Sequence, residues 1–136
     1  MNEIQFTVPG RPIGKGRPRF MKNGHTYTPQ KTKDYEALVQ RCWQTQSGVS
    51  FSGGIPLLAE ITAWFPVPQN TSKKKRALME GTYHLARPDA DNLAKAILDA
   101  GNGLFYPDDS AVQIEGCCKR WTNGAPRVDV RIREAT

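Results

Sequence analysis

Four stretches of this chain alternate apolar with polar residues, and a strand with that pattern can bury only one of its two faces. They are Ile4-Phe6-Val8, Ala59-Ile61-Ala63-Phe65, Val112-Ile114 and Val128-Val130-Ile132. A sheet built from them needs an apolar cover on its buried side. Tyr35, Leu38, Val39 and Cys42 follow helical spacing and predict an amphipathic helix over about 30–46, starting at Thr28-Pro29 or at Thr32. Ser72 is placed to cap a short helix carrying Lys73, Lys74, Lys75 and Arg76, and a further helical pattern begins near Asp91. Turn chemistry marks the joints at Pro9-Gly10, at Pro66-Val67-Pro68 and at Asn123-Gly124. Residues 10–29, rich in Gly, Pro, Lys and Arg, read as a basic loop with a small hairpin at Asn23-Gly24. The order β, loop, α, β, α, α, β, β predicts an α+β or mixed α/β fold with a small mixed sheet of about four strands flanked by helices.

A length of 136 residues suits a single domain spanning 1–136, because the one linker-like segment, Gln46 to Gly54, is too short to separate two. The chain is 38% hydrophobic and 24% charged, which is the balance of a soluble globular protein. No apolar run approaches the roughly 20 residues of a membrane helix, and the first residues carry no signal-peptide pattern, so a cytoplasmic location is expected. Three cysteines, with Cys117 and Cys118 adjacent, form neither a disulfide framework nor a zinc motif. They are expected to be reduced and mostly packed.

The net charge of +6 is unevenly distributed. Residues 1–79 carry 12 Lys/Arg against 4 Asp/Glu, residues 80–115 carry 2 against 7, and residues 116–136 carry 5 against 2. Basic ends attract a polyanion such as nucleic acid. An acidic island would repel that same partner unless a divalent cation neutralised it.

The island centres on Arg87-Pro88-Asp89-Ala90-Asp91-Asn92-Leu93-Ala94-Lys95, followed by Asp99 and by Asp108-Asp109. On a helix starting near Asp91, the ~100° step per residue places Asp91, Lys95 and Asp99 on one narrow face. Asp89, on an extended approach after Pro88, can point the same way. Two carboxylates about 4 Å apart repel by very roughly 4 kcal/mol at an effective dielectric near 20. Mg²⁺ suits such a cluster, since it takes oxygen ligands from one or two carboxylates, keeps waters and binds a phosphate oxygen. Lys95 could then stabilise charge developing on a phosphodiester under attack. A plainer reading makes Asp91 an N-cap, Asp91 and Lys95 a surface i,i+4 pair, and Pro107 to Ser110 a turn.

The set Pro88-Asp89-x-Asp91-Asn92-Leu93-x-Lys95, then Asp99, then Asp108-Asp109-x-x-Val112, resembles the signature of the RusA family of Holliday junction resolvases, often encoded by prophages. Gly16-Arg17-Pro18-Arg19-Phe20 and Tyr27-Thr28-Pro29 are similar to that family's N-terminal region. The resemblance implies a homodimer that binds a four-way DNA junction and cuts two strands symmetrically, with Mg²⁺ or Mn²⁺, in recombination and repair. By the same resemblance Asp89, Asp91 and Asp109 match the catalytic, metal-holding acids and Lys95 the essential lysine. Asp108 joins the candidate metal ligands, while the roles of Asp108 and Asp99 stay open. Pro88 stands where the best-known member has arginine, and Arg87 is the residue available to replace it.

Lys15, Arg17, Arg19 and Lys22 on the basic loop, with Lys73, Lys74, Lys75 and Arg76 on the short helix, are the candidate phosphate contacts. Phe20 or Tyr27 could stack on an opened base, although core packing is the expected role of both. Three rivals stand beside this reading. One is a non-catalytic nucleic-acid-binding module, which leaves the acidic island without a purpose. Another is a nuclease of the PD-(D/E)xK type, against which three residues separate Asp91 from Lys95. The last is a nuclease selective for flaps or forks.

Overall fold

A computed structural model describes residues 2–135. Strand β1 (Glu3–Pro9) leads through a loop into a short hairpin, β2 (Arg19–Phe20) and β3 (Thr26–Tyr27), and then into helix α1 (Gln30–Gln46). Strand β4 (Leu57–Pro66), helices α2 (Lys73–Met79) and α3 (Ala90–Ala100), and strands β5 (Val112–Thr122) and β6 (Arg127–Glu134) follow. The order along the four-stranded sheet is β1-β6-β4-β5. Strand β6 runs antiparallel to both its neighbours, whereas β4 and β5 are parallel. This is the mixed α/β sheet that the patterning predicts.

The register follows from the alternation. Ile4 faces Ile132, which faces Ala59; Phe6, Val130 and Ile61 form the next row, and Val8, Val128 and Ala63 the next. All nine side chains lie in one buried core. Slipping any strand by one residue would turn its row to solvent, so the register is strongly specified. Parallel pairing of β4 with β5 requires a crossover, and residues 67–111 supply it, laying α3 against β5 and α1. Helix α1 covers β1 with Thr32, Tyr35, Val39 and Cys42, which are buried at helical spacing.

Helix α3 buries Leu93, Ala94, Ala96, Ile97, Leu98 and Ala100. Burial of each large aliphatic among them contributes roughly 1.5–3 kcal/mol. The Lys95–Asp99 pair on its other face contributes about 0.3–0.5 kcal/mol by comparison. The apolar side therefore holds the helix in place and leaves its polar stripe free for chemistry.

Helix α2 begins where expected, with the Ser72 hydroxyl accepting from the Lys75 N–H at 3.3 Å. The thiols are all free; Cys42 is buried, and Cys117 and Cys118 are half-buried. Core packing of Phe20 and Tyr27 is not found, for Phe20 is 80% exposed and Tyr27 45%. The reason is non-local: β2 and β3 pair only with each other, so no sheet lies beneath the rings. Leaving Phe20 out forgoes the roughly 1.5–3 kcal/mol its burial would give.

Candidate active site and basic cleft

The polar stripe of α3 begins two residues before Asp91. Asp89 occupies the N-cap position with an extended backbone, and its carbonyl accepts from the Leu93 N–H at 3.1 Å. Its carboxylate makes no capping bond and stays exposed. Asp91, in the first turn, is exposed as well. The plainer reading is thus corrected on two counts: Asp89 holds the cap position, and Lys95 pairs with Asp99, Nζ to Oδ2 at 3.4 Å, instead of with Asp91.

Asp99 is the hub of the stripe. The Lys15 ammonium reaches its Oδ2 at 3.2 Å and also contacts Glu36 of α1. Burial pulls the Lys15 pKa down, but Glu36 and Asp99 outweigh it and hold the ammonium above its usual range. The Lys15 N–H donates to the Asn92 carbonyl at 3.0 Å, so the basic loop is tied to α3 by backbone and side chain together. Gly14 permits that approach, because a β-carbon there would come within 2.9 Å of Pro88 Cβ. Pro88 itself follows a cis peptide bond from Arg87.

The second acid pair is brought back to α3 by aromatic anchoring. Phe105 packs edge-on to Phe6 at 5.6 Å and lies 5.2 Å from the Trp43 ring, while the Tyr106 hydroxyl donates to the Leu98 carbonyl at 2.7 Å. The chain after α3 is therefore folded over the helix end. Gly101 accommodates this, since a β-carbon there would run into the Phe105 ring. Asn102 then receives the Asp109 N–H on its side-chain oxygen at 3.1 Å. Partial burial, Asp108 and Asp99 push the Asp109 carboxyl above the usual range, and Lys95 opposes them. Asp108 moves the other way, chiefly because the Ser110 hydroxyl donates to it at 2.7 Å. Taken together, the surroundings of Asp109 disfavour its ionised form.

Beside α3 lies a cleft of about 820 Å³. Arg11, Lys15, Arg17, Arg19, Lys31 and Arg87 line it, against a single acid, Asp89. Arg17, Arg19 and Lys22 are exposed, as are Lys73, Lys74 and Lys75, but none of residues 73–76 borders this cleft. Arg76 is committed to structure, donating to the carbonyls of Thr71 at 3.1 Å and Pro68 at 2.9 Å and to the Asn123 side chain at 3.3 Å. Sequence reasoning overlooked Arg11, Lys31 and Glu36. Only the basic flanks of residues 10–33 could have hinted at the first two, and nothing local marks Glu36 as the partner of Lys15.

The structure joins Lys15, Glu36, Lys95, Asp99, Asp108 and Asp109 into one electrostatic group and sets Asp89 on the wall of the cleft. Asp91 acts electrostatically on Cys117, whose thiol donates to the Ala90 carbonyl at 3.2 Å. Burial, with Cys118 and Asp91, pushes that thiol up to about 11. Among the described residues, no group of three or more His, Cys, Asp or Glu side chains converges closely enough to cage a metal ion. No helix among them is long and apolar enough to cross a membrane.

Uncompensated carboxylates beside a cation-lined groove are the furniture of a protein that handles nucleic-acid phosphates. The sequence profile of the endodeoxyribonuclease RusA family matches residues 9–133, and the chain belongs to that family of DNA-cutting enzymes. It is also 34% identical to the uncharacterized protein YqaN of Bacillus subtilis (strain 168), over 143 aligned positions covering 100% of this chain and 99% of the relative.

Proposed function

We propose that this chain is a Mg²⁺-dependent Holliday junction resolvase that acts as a homodimer and cuts two strands of a four-way DNA junction symmetrically. The observation carrying this reading is that Asp89 stands on the wall of a cleft lined by six cations, on the same helix that brings Asp99 into one group with Asp108 and Asp109. Excess negative charge in a DNA-binding surface works against binding unless a cation shares it.

The donors suit Mg²⁺ in kind. They are carboxylate oxygens, with exposed Asp89 and Asp91 free of side-chain caps and ion pairs among the described residues. A closed cage of three acids is not needed, because Mg²⁺ is commonly held by one or two carboxylates with waters and substrate phosphate filling the rest. Asp89, Asp91 and Asp109, with Asp108 beside the last, are the residues proposed to hold one or two such ions between them. A bound Mg²⁺ supplies a Lewis acid for the phosphodiester and a water of lowered pKa.

The chain's own groups do the rest. Arg17, Arg19 and Arg87 bind the backbone flanking the cut, and Lys95, 60% exposed, offers its ammonium to the phosphate. Asp99 orients Lys95, and Lys15 orients Asp99. The test mixes purified protein with a synthetic four-way junction and a matched linear duplex, with and without Mg²⁺. Paired nicks in the junction alone, dependent on Mg²⁺, are the expected result. Junction binding without cleavage under either Mg²⁺ or Mn²⁺ contradicts the reading and leaves a binding module.

A further inference from the structure

Phe20 is 80% exposed on the least supported element of the fold, a two-strand hairpin that pairs with nothing else. The hairpin is nonetheless well closed at its tip. The Met21 N–H donates to the His25 carbonyl at 2.7 Å, the Gly24 N–H to the Met21 carbonyl at 3.0 Å, and the His25 N–H to the Asn23 side chain at 3.1 Å. Register places Phe20 opposite Thr26 and Arg19 opposite Tyr27, so Phe20 and Arg19 project from opposite faces of one small finger. Met21, 51% exposed, extends the apolar tip.

The surroundings say what such a finger meets. Arg17, Arg19 and Lys22 are the charged residues nearest Phe20 in the sequence, Arg19 on the opposite face of the finger, and no acid occurs anywhere from residue 4 to residue 33. Arg17 and Arg19 also line the cleft whose wall bears Asp89, so the finger rises from the rim of the candidate active site. An exposed aromatic ring on one face of a finger whose other face carries a cation, in a segment without acids, matches a nucleobase attached to its phosphate backbone. An apolar protein surface would gain nothing from those cations.

Resting on the nuclease reading above, we infer that Phe20 stacks on a nucleobase left unpaired at the branch point and so selects branched DNA over plain duplex. In an intact duplex every base is covered by its neighbours, and the ring has no face to meet. At a branch one base can be opened onto it. Met21 then packs beside the stacked base, while Arg17, Arg19 and Lys22 hold the adjoining phosphates.

The experiment compares wild type, Phe20→Ala and Phe20→Trp in EDTA. The probes are a four-way junction carrying 2-aminopurine at the branch and a linear duplex carrying it paired. The exposed position makes all three proteins equally able to fold. Phe20→Ala is expected to bind the junction roughly 5-fold to 100-fold more weakly, with duplex affinity changed less than about twofold. Its branch fluorescence should not respond, whereas Phe20→Trp should behave like wild type. Equal junction affinity and fluorescence in wild type and Phe20→Ala overturns the inference, as does an equal loss on both DNAs. Parallel cleavage in Mg²⁺ separates the two readings: a wild type that stacks the probe but never cuts contradicts the nuclease alone, and one that cuts while Phe20→Ala matches it contradicts the stack alone.

Discussion

Lys15 and Asp99 lie far apart in the chain, yet the Lys15 ammonium sits 3.2 Å from the Asp99 carboxylate and ties the basic loop to the acidic face of α3. With Glu36 on α1 as its second acceptor, this one cation links three segments, and it is only 20% exposed. Replacing Lys15 by Met keeps much of the stem and leaves two half-buried acids, of which only Asp99 retains a cation, Lys95. The expected cost is about 1–3 kcal/mol, the usual effect of removing one partner of a part-buried charged bond. Urea denaturation measures it directly, and a loss confined to a few tenths would mean that Lys15 is an ordinary surface charge.

Gly14 provides a steric counterpart to that link. A methyl group at this position meets Pro88 and Asn92 backed by the body of the fold, so the loop has to move away from α3. Gly14→Ala should lower stability by about 1–3 kcal/mol, as overpacking does. It should also weaken DNA cleavage beyond what the stability loss explains, since the cleft wall moves with the loop. Thermal melting together with cleavage at a temperature where both proteins are folded separates these effects.

Residues near β4 and β5 predict a pH response. His84 is 4% exposed, stacked 4.0 Å from the Phe65 ring and 4.5 Å from that of Trp121, and its Nδ1 has no hydrogen-bond partner among the described residues. Burial, then Lys119 and Arg11, lower its pKa below 6.5. A histidine with a depressed folded pKa binds more protons when unfolded, so the stability it allows is complete above pH 6.5 and is lost as the pH falls below that value. His84→Phe keeps the stack and removes the titration. The wild-type melting temperature should therefore fall further than the variant's between pH 7 and pH 5, and parallel curves would refute the assignment.

DNA contacts can be sorted by their salt dependence. Arg87 lines the cleft whereas Lys74 lies outside it. Arg87→Ala should weaken binding and reduce the slope of log affinity against log salt by about 0.9, one phosphate contact. Lys74→Ala should leave the slope nearly unchanged. The reverse ranking would place DNA along α2 instead.

Much of this architecture is visible in local patterns. Ile4-Phe6-Val8 and Val128-Val130-Ile132 announce strands because each buries one face, Ser72 announces a cap, and Asn23-Gly24 a tight turn, all matters of a few neighbouring residues. What local pattern could not give is set by long-range geometry. Asp99 becomes the hub of the site only because Lys15 arrives from the basic loop and because Phe105 and Tyr106 fold Asp109 back toward it. Phe20 looks like a core residue by type, and only the detachment of its hairpin exposes it. Arg76 resembles its lysine neighbours by charge, yet three hydrogen-bond acceptors recruit it for structure.

The most direct test of the central claim replaces Asp89, Asp91 and Asp109 singly by Asn and measures junction binding and Mg²⁺-dependent cleavage side by side. Each carboxylate is solvent-accessible to some degree, and Asn preserves its shape, so folding should persist. Asp109→Asn should melt slightly higher than wild type without metal, because its ionised form is disfavoured where it stands. Every variant is expected to lose cleavage by at least about a hundredfold, the scale on which metal-ion and electrostatic catalysis operate, while binding the junction as well as wild type or better. Variants that still cut at close to the wild-type rate would contradict the central claim.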